Sequence, residues 1–71
     1  MTEYLVIFER ADDGGWGGYL PDRPGVVALG ESRDEVAPGI QEALDAYAEE
    51  MRALGRGLPT PSTTASTVQA A

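Results

Sequence analysis

Two residue types that support much of enzyme and metal chemistry, cysteine and histidine, are missing from this 71-residue chain. Without cysteine the chain has no disulfide framework and no thiolate metal site. Without histidine it lacks the usual general base and the usual zinc ligand. A Ser-His-Asp triad is therefore excluded, and no residue pattern requires a cofactor or a metal ion.

Lysine is also missing, and five arginines against twelve acidic residues leave a net charge of −7. A pI near 4.2 argues against nucleic-acid binding, which needs a basic face, and favours a basic protein as partner. No apolar run approaches the ~20 residues that a membrane span needs. The start, Met1-Thr2-Glu3, lacks the basic residues of a signal peptide. We therefore expect a cytoplasmic protein of one domain that makes no contact with membranes.

Three short apolar segments separated by turn residues predict three strands, at residues 4–9, 16–20 and 26–29. Asp13-Gly14 between the first two segments is a hairpin signal. Pro24-Gly25 between the second and third suits the central positions of a type II turn, where glycine supplies the positive φ. Both faces of the first strand are apolar, so we expect both faces to be covered.

One helix is predicted between Ser32 and Gly55. Ser32 and Glu35 match a capping box at its start, and Gly55 is placed to end it. Pro38 lies past the first turn, where proline is tolerated, so we expect a kinked or loosened first turn without loss of the helix. The apolar residues at helical spacing form one stripe, made of Val36, Ile40, Ala43, Leu44, Tyr47, Met51 and Leu54.

The segment after the helix has two interpretations. Residues 62–68 are rich in threonine and serine and form either a fourth, edge strand or part of a flexible tail. The predicted fold is α+β, with a small antiparallel sheet of three to four strands and one helix on one face, in the order β-β-β-α-β. Residues 1–61 then form the domain, and residues 62–71 form the edge strand or the tail.

Several short motifs follow one another along residues 3–61. They are a first strand ending in Glu9, Asp13-Gly14-Gly15 before Trp16, Pro21-Asp22 with Pro24-Gly25, Gly30 with Ser32 and Glu35, Glu42-Ala43-Leu44, and Leu58-Pro59 with Pro61. In this order they resemble the HicB-like antitoxins, the protein half of HicA–HicB toxin–antitoxin pairs. The resemblance implies a partial RNase H-like fold, without catalysis, that binds and masks a small basic ribonuclease toxin.

The chain departs from this family at its end and at two internal places. Many members carry a C-terminal DNA-binding domain that represses their own operon. Here no charged residue follows Arg56, and the ten residues after Pro61 are too few for a helix-turn-helix. We therefore expect that this chain alone does not bind DNA, because its charge repels phosphate. The internal departures are Arg23, where the family usually has an apolar residue, and Pro38-Gly39, where it usually continues a smooth helix.

Six residues are candidate partner contacts. Asp22 and Arg23 lie in the connector between the second and third strands, and turn geometry does not require an arginine there. Trp16 is either an interface anchor or the largest core residue of a small domain. The other three share one side of the helix, opposite the apolar stripe, and form either a docking face for a basic toxin or an ordinary solvated surface. They are Glu42, Asp45 and Glu49.

The sequence thus predicts a non-enzymatic antitoxin that neutralises a HicA-like, messenger-RNA-cleaving toxin by covering its active surface. One alternative is a degenerate metal-dependent nuclease that uses Glu9, Asp12 and Asp22, since RNase H-like enzymes hold Mg²⁺ with clustered carboxylates. Asp12 and Asp13 also fall where a hairpin turn favours them. The other alternative is an orphan oligomerisation module. We further expect a homodimer or a higher oligomer, paired through unshielded strand edges.

Overall fold

The structure is a computed structural model that describes residues 2–71. Three strands form an antiparallel sheet: β1 (Ile7–Arg10), β2 (Trp16–Tyr19) and β3 (Val27–Gly30). A single long helix, α1 (Arg33–Ala53), follows them. The strand order in the sheet is β1-β2-β3, so β2 is central and β1 and β3 are its edges. The α+β class and the β-β-β-α order are confirmed.

Glycines at positive φ make both turns between the strands. Gly14 has a φ of 92°, and the N–H of Gly15 donates to Asp13 Oδ1 at 2.8 Å. Gly25 has a φ of 100°, and the Val26 N–H donates to the Arg23 carbonyl at 3.3 Å, as expected for the last residue of a type II turn. Both turns are therefore where the sequence predicted them.

The register of the sheet places two small residues, Gly18 and Ala28, under the helix. Phe8, Gly18 and Ala28 lie opposite one another in the three strands. A Cβ at Gly18 would lie 2.8 Å from Val36 Cγ1, so the absent side chain lets α1 approach β2 closely. Gly39 faces Ala28 in the same way, since its Cβ would lie 3.1 Å from that of Ala28. The helix consequently packs mainly on β3 and β2.

The core between sheet and helix is small. Its buried residues are Leu20, Val26, Val36 and Ile40. Around them lie half-buried apolar residues, namely Tyr4, Val6, Phe8, Trp16, Ala28, Ala43, Leu44 and Tyr47. The predicted helical stripe is confirmed as far as Tyr47. It is wrong at Leu54, which is 56% exposed because it occupies the helix C-cap, past the end of the sheet.

Both helix ends have the predicted caps. Ser32 Oγ accepts from the Glu35 N–H at 3.1 Å. At the other end Gly55 has a φ of 69°, and its N–H donates to the Arg52 carbonyl at 3.0 Å. The Arg56 N–H donates to the Met51 carbonyl at 2.8 Å, which completes a Schellman motif. The helix continues through Pro38 without interruption.

Two expectations about strands need correction. The first strand begins at Ile7 and not at residue 4, because the ladder with β2 ends at the pair Ile7–Tyr19 and the chain turns away after Leu20. The final strand of the expected β-β-β-α-β order is not formed by residues 62–68. Ser62 and Thr63 instead bind the side chain of Asp22, and no strand lies beside the residues that follow.

Candidate partner-binding surface

The face of the sheet that points away from α1, here called the outer face, exposes several apolar side chains. Strand alternation places Ile7, Tyr19 and Val27 in one row on this face and Glu9, Gly17 and Leu29 in the next. Val27 is 57% exposed and Leu29 is 87% exposed. In the first strand Ile7 is half-buried and Glu9 is exposed, so the expectation that both faces of that strand are covered holds only in part. An apolar face of this kind is typical of an interaction surface.

On the helix side of the sheet an open groove of about 640 Å³ lies between the N-terminal segment and α1. It exists because α1 packs mainly on β2 and β3, and over β1 the helix contributes the Arg33 guanidinium, 4.3 Å from the centroid of the Phe8 ring. One wall is formed by Tyr4, Val6 and Phe8, and the other by Ala37, Leu44 and Ala48. The charged residues that line it, Glu3 and Asp45, are both acidic. The groove is therefore apolar inside with negative charge at its rim.

The three acidic candidates on α1, here called the acidic helix face, are all exposed. Asp45 Oδ1 accepts a hydrogen bond from Gln41 Nε2 at 2.9 Å. Glu49 pairs with Arg52 at 3.1 Å, but both side chains are at least 70% exposed, so this ion pair contributes little. Glu42 is the third member. Asp45 also lines the groove, so the acidic helix face and the groove adjoin each other.

Asp22 is bound within the chain by the segment that follows the helix. Its carboxylate accepts from the Ser62 and Thr63 backbone N–H groups at 2.9 and 3.0 Å, and from their hydroxyls at 3.1 and 2.6 Å. These bonds, that of the Thr63 hydroxyl above all, lower the pKa of Asp22 to about 2. Nothing near Asp22 in the sequence signals this contact, because its partners lie 40 and 41 residues away.

Tyr4 makes a second contact to the same segment, since its hydroxyl donates to the Pro59 carbonyl. Burial, followed by the nearby Tyr47 and Asp22, raises the pKa of Tyr4. The contacts of Tyr4 and Asp22 with residues 59–63 are here called the clasp. The clasp holds the beginning of the C-terminal segment against the end of the sheet where β1 starts and β2 finishes.

Arg23 and Trp16 also contact other parts of the chain. The Arg23 guanidinium lies 4.2 Å from the centroid of the Tyr47 ring, and its buried Nε has no hydrogen-bond partner within residues 2–71. Trp16 is half-buried and packs against the core. It lies at the opposite end of β2 from Asp22 and Arg23. The structure therefore does not bring the six candidate residues together into one site.

The carboxylates named for the nuclease alternative are also separated. Asp12 precedes β2 and Asp22 follows it, so they lie at opposite ends of that strand. Within residues 2–71, no three acidic side chains are grouped so that they could hold a metal ion.

In the same part of the chain, no helix combines the length and the apolar character that crossing a membrane requires.

Comparison with known proteins identifies the family. A family model described as "HicB_like antitoxin of bacterial toxin-antitoxin system" matches residues 4–71. This chain belongs to the HicB-like antitoxin family. The crystal structure of the N-terminal domain of Burkholderia pseudomallei antitoxin HicB is similar to this HicB-like chain. It has a TM-score of 0.73 and 30% identity, over 82% of this chain and 69% of that one. Comparison with curated proteins gave no match.

Membership of the HicB-like family gives the chain an antitoxin role in a toxin–antitoxin system and implies a toxin as its partner. The structure offers three surfaces for such a partner: the outer face, the groove and the acidic helix face. Of the six residues selected from the sequence, the three on the acidic helix face are exposed, whereas Trp16, Asp22 and Arg23 are half-buried. Their role in binding stays a prediction.

Proposed function

We propose that this protein neutralises a small, basic, HicA-like toxin that cleaves messenger RNA, by binding the toxin and covering its active surface. The family match over residues 4–71 carries the proposal. The net charge of −7 supports it, because a strongly acidic protein attracts a basic partner. The role is that of a binding protein and not of an enzyme. The proposal places the protein in the cytoplasm, where the messenger RNA that such a toxin cleaves is found.

We place the first contact with the toxin on the acidic helix face. Its three carboxylates are exposed and lie on one side of a single helix. Asp22, by contrast, already binds Ser62 and Thr63, Arg23 stacks on Tyr47, and Trp16 packs against the core. Exposed charges of this kind steer a partner and act mainly on the rate of association.

Co-expression with the basic protein encoded beside this gene tests the proposal as a whole. We expect the two proteins to purify together, and we expect this chain to restore the growth of cells that produce the toxin. Failure of both assays would contradict the antitoxin function for that partner. A variant that binds the toxin but does not restore growth would show that binding leaves the active surface open.

The placement on the helix predicts a kinetic effect. Replacing Glu42, Asp45 and Glu49 together by glutamine should slow association with the toxin several-fold at low salt and flatten its dependence on salt. Dissociation should change little, because exposed charges contribute little to the bound state. Stopped-flow or surface plasmon resonance measurements at two salt concentrations separate the two rates.

A matched variant controls for the loss of three negative charges. Asp12, Glu31 and Asp34 are exposed and lie near the β1–β2 turn and the start of α1, away from the acidic helix face. Replacing these three by glutamine should slow association less, although the change in net charge is the same. If both variants slow association equally, only the total charge matters. If neither does, the toxin docks elsewhere, on the outer face or the groove.

A further inference from the structure

The groove on the helix side of the sheet is wide and long enough for a second helix. Three strands about 4.8 Å apart make a sheet about 14 Å wide, and one helix with its side chains covers about 10 Å of that width. Since α1 packs mainly on β2 and β3, the strip over β1 has room for another element. On α1 the groove extends from Ala37 to Ala48, which is about 16 Å or three helical turns. A helix of about three turns that lies beside α1 therefore fits this space.

The inside of the groove is apolar. Tyr4, Val6 and Phe8 form one wall and are half-buried, so part of each side chain still meets solvent. Leu44 on the opposite wall is half-buried as well. Covering these side chains is favourable because it removes apolar surface from water. The groove therefore favours an occupant with an apolar face.

The clasp fixes part of the groove in place. The Tyr4 ring lines the groove while its hydroxyl donates to the Pro59 carbonyl. Leu58, the neighbour of Pro59, is a further lining residue. Because the Asp22 carboxylate binds Ser62 and Thr63, this side of the groove is held before any partner arrives. A preformed site loses less conformational entropy when it binds, which favours affinity.

The charges at the groove specify the polar side of the occupant. Glu3 and Asp45 line the two walls and are exposed carboxylates. Glu42 and Glu49 lie further round α1, on the side of Asp45. A helix whose apolar stripe is flanked by lysine or arginine would place positive charges against these carboxylates. Arg33 lies at the start of α1, so we expect the basic residues of the occupant nearer to Asp45 than to that end.

A second copy of this chain does not meet this description. Within residues 2–71 the only helix is α1. It carries six acidic residues against two arginines, so it would bring further negative charge to the groove. Two chains of charge −7 also repel each other. The occupant that fits is therefore a helix of another, basic protein.

We propose that the groove receives a basic amphipathic helix of the partner protein, which lies beside α1 with its apolar stripe on Val6, Phe8 and Leu44. The inference rests on the proposed function, because the partner meant is the basic toxin. It names the part of this chain that holds the toxin once it is bound. The acidic helix face steers the approach and acts on association, whereas the groove covers apolar surface and acts on dissociation. The two surfaces therefore have separable kinetic effects.

Three alanines of α1 provide the test, two that line the groove and one that does not. Ala46 is exposed and follows Ala37 by two and a half helical turns, so it lies on the opposite side of α1. Ala37→Gln and Ala48→Gln each place a larger, polar side chain in the groove and should raise the rate of dissociation of the toxin at least about tenfold. Ala46→Gln makes the same exchange outside the groove and should change that rate less than about threefold. Glutamine is a good helix former, so all three variants should keep the fold, which thermal melts check.

The kinetics can overturn the inference while the proposed function stands. This is the result if the toxin dissociates from Ala37→Gln as slowly as from the parent chain. It is also the result if only one groove variant has an effect, because a helix of three turns contacts both positions. If Ala46→Gln acts as strongly as the groove variants, the contacts lie on the acidic helix face, and the inference is again overturned.

A synthetic peptide tests the groove without the toxin. If the neighbouring basic protein does not bind at all, the proposed function fails for that partner, and an amphipathic peptide of leucine and lysine about 14 residues long takes its place. NMR spectra of the nitrogen-15-labelled full chain should then show shifts at Leu44 and Ala48 and none at Val27 and Leu29 of the outer face. The same peptide with glutamate in place of lysine should bind at least about tenfold more weakly. Shifts confined to the outer face, or equal binding of both peptides, would overturn the inference.

Discussion

Asp22 is the residue whose surroundings differ most from what the sequence suggested. Its carboxylate accepts four hydrogen bonds from Ser62 and Thr63, which makes it the fixed point for the start of the C-terminal segment. Hydrogen bonds to an ionised acceptor are stronger than those between neutral groups. They also favour the charged form, which is why the pKa of Asp22 falls to about 2.

The clasp should therefore depend on pH. The pKa of Asp22 is lowered in the folded chain from its ordinary value of 3.8, so its contribution is fully present above that value. It should be lost as the pH falls from about 4 to about 2. Hydrogen exchange followed by NMR should show that the Ser62 and Thr63 amides are protected relative to their intrinsic exchange rates, and that this protection is lost across the window. Protection that persists below pH 2 would show that another group holds the segment.

Asp22→Asn tests the same contact at neutral pH. The neutral amide accepts more weakly than a carboxylate and brings two donors, so the Ser62 and Thr63 amides should exchange several-fold faster. Asp12→Asn is the matched control, because Asp12 is exposed and makes no side-chain hydrogen bond within residues 2–71. Its exchange pattern at Ser62 and Thr63 should equal that of the parent chain.

At the scale of elements, the close approach of α1 to β2 depends on Gly18. Its neighbour Gly17 points to the outer face, where a Cβ would lie 3.2 Å from Leu29 Cδ2. The Leu29 side chain is 87% exposed and free to move aside. At Gly18 the added methyl would lie 2.8 Å from Val36, the most deeply buried residue of the core. A methyl group added at Gly17 therefore meets a side chain that can move, whereas one added at Gly18 meets the packed core.

This difference predicts unequal effects of the same substitution. Gly18→Ala should lower the free energy of unfolding by about 1–3 kcal/mol, because the helix must move to accommodate the methyl group. Gly17→Ala should change it by less than about 0.5 kcal/mol. Urea denaturation of both variants at one protein concentration provides the comparison, since self-association makes stability depend on concentration. Equal losses would show that α1 does not limit the space above Gly18.

At the scale of the whole molecule, the surface is larger than a compact chain of this mass should have. The accessible area is 5555 Å², whereas size scaling gives about 4,200 Å². The excess comes with the exposed apolar residues of the outer face, the open groove and the exposed residues 64–71. This surface is available to a partner, and the net charge of −7 favours a basic one.

The charge predicts opposite salt dependences for the homodimer expected from the sequence and for the proposed toxin complex. Raising the salt concentration from about 0.05 M to about 0.5 M shortens the screening length severalfold. The homodimer should tighten, because screening reduces repulsion between two copies of charge −7. The complex with a basic toxin should weaken, because screening reduces attraction. Sedimentation for the first and binding kinetics for the second measure this, and a homodimer that weakens with salt would contradict it.

The sequence by itself determined the features that are encoded within a few residues. Asp13-Gly14 and Pro24-Gly25 form the expected turns, and Ser32 and Gly55 cap the helix at the expected ends. Glycine at positive φ and a serine that caps an N-terminus act on their immediate neighbours, so no distant contact is needed to predict them. The helical stripe follows from the same local periodicity, as far as the sheet extends beneath it.

Only the tertiary structure decided the features that join distant parts of the chain. The acidic helix face was predicted from helical spacing, but the groove beside it depends on where α1 crosses the sheet. The clasp joins Asp22 to Ser62 and Thr63, whose sequence carries no mark of that contact. The absence of the expected fourth strand was also decided by the tertiary structure, because a segment becomes a strand only where it can pair with the edge of another strand. Pairing, register and coverage of a face are properties of the path of the whole chain, which local residue patterns do not contain.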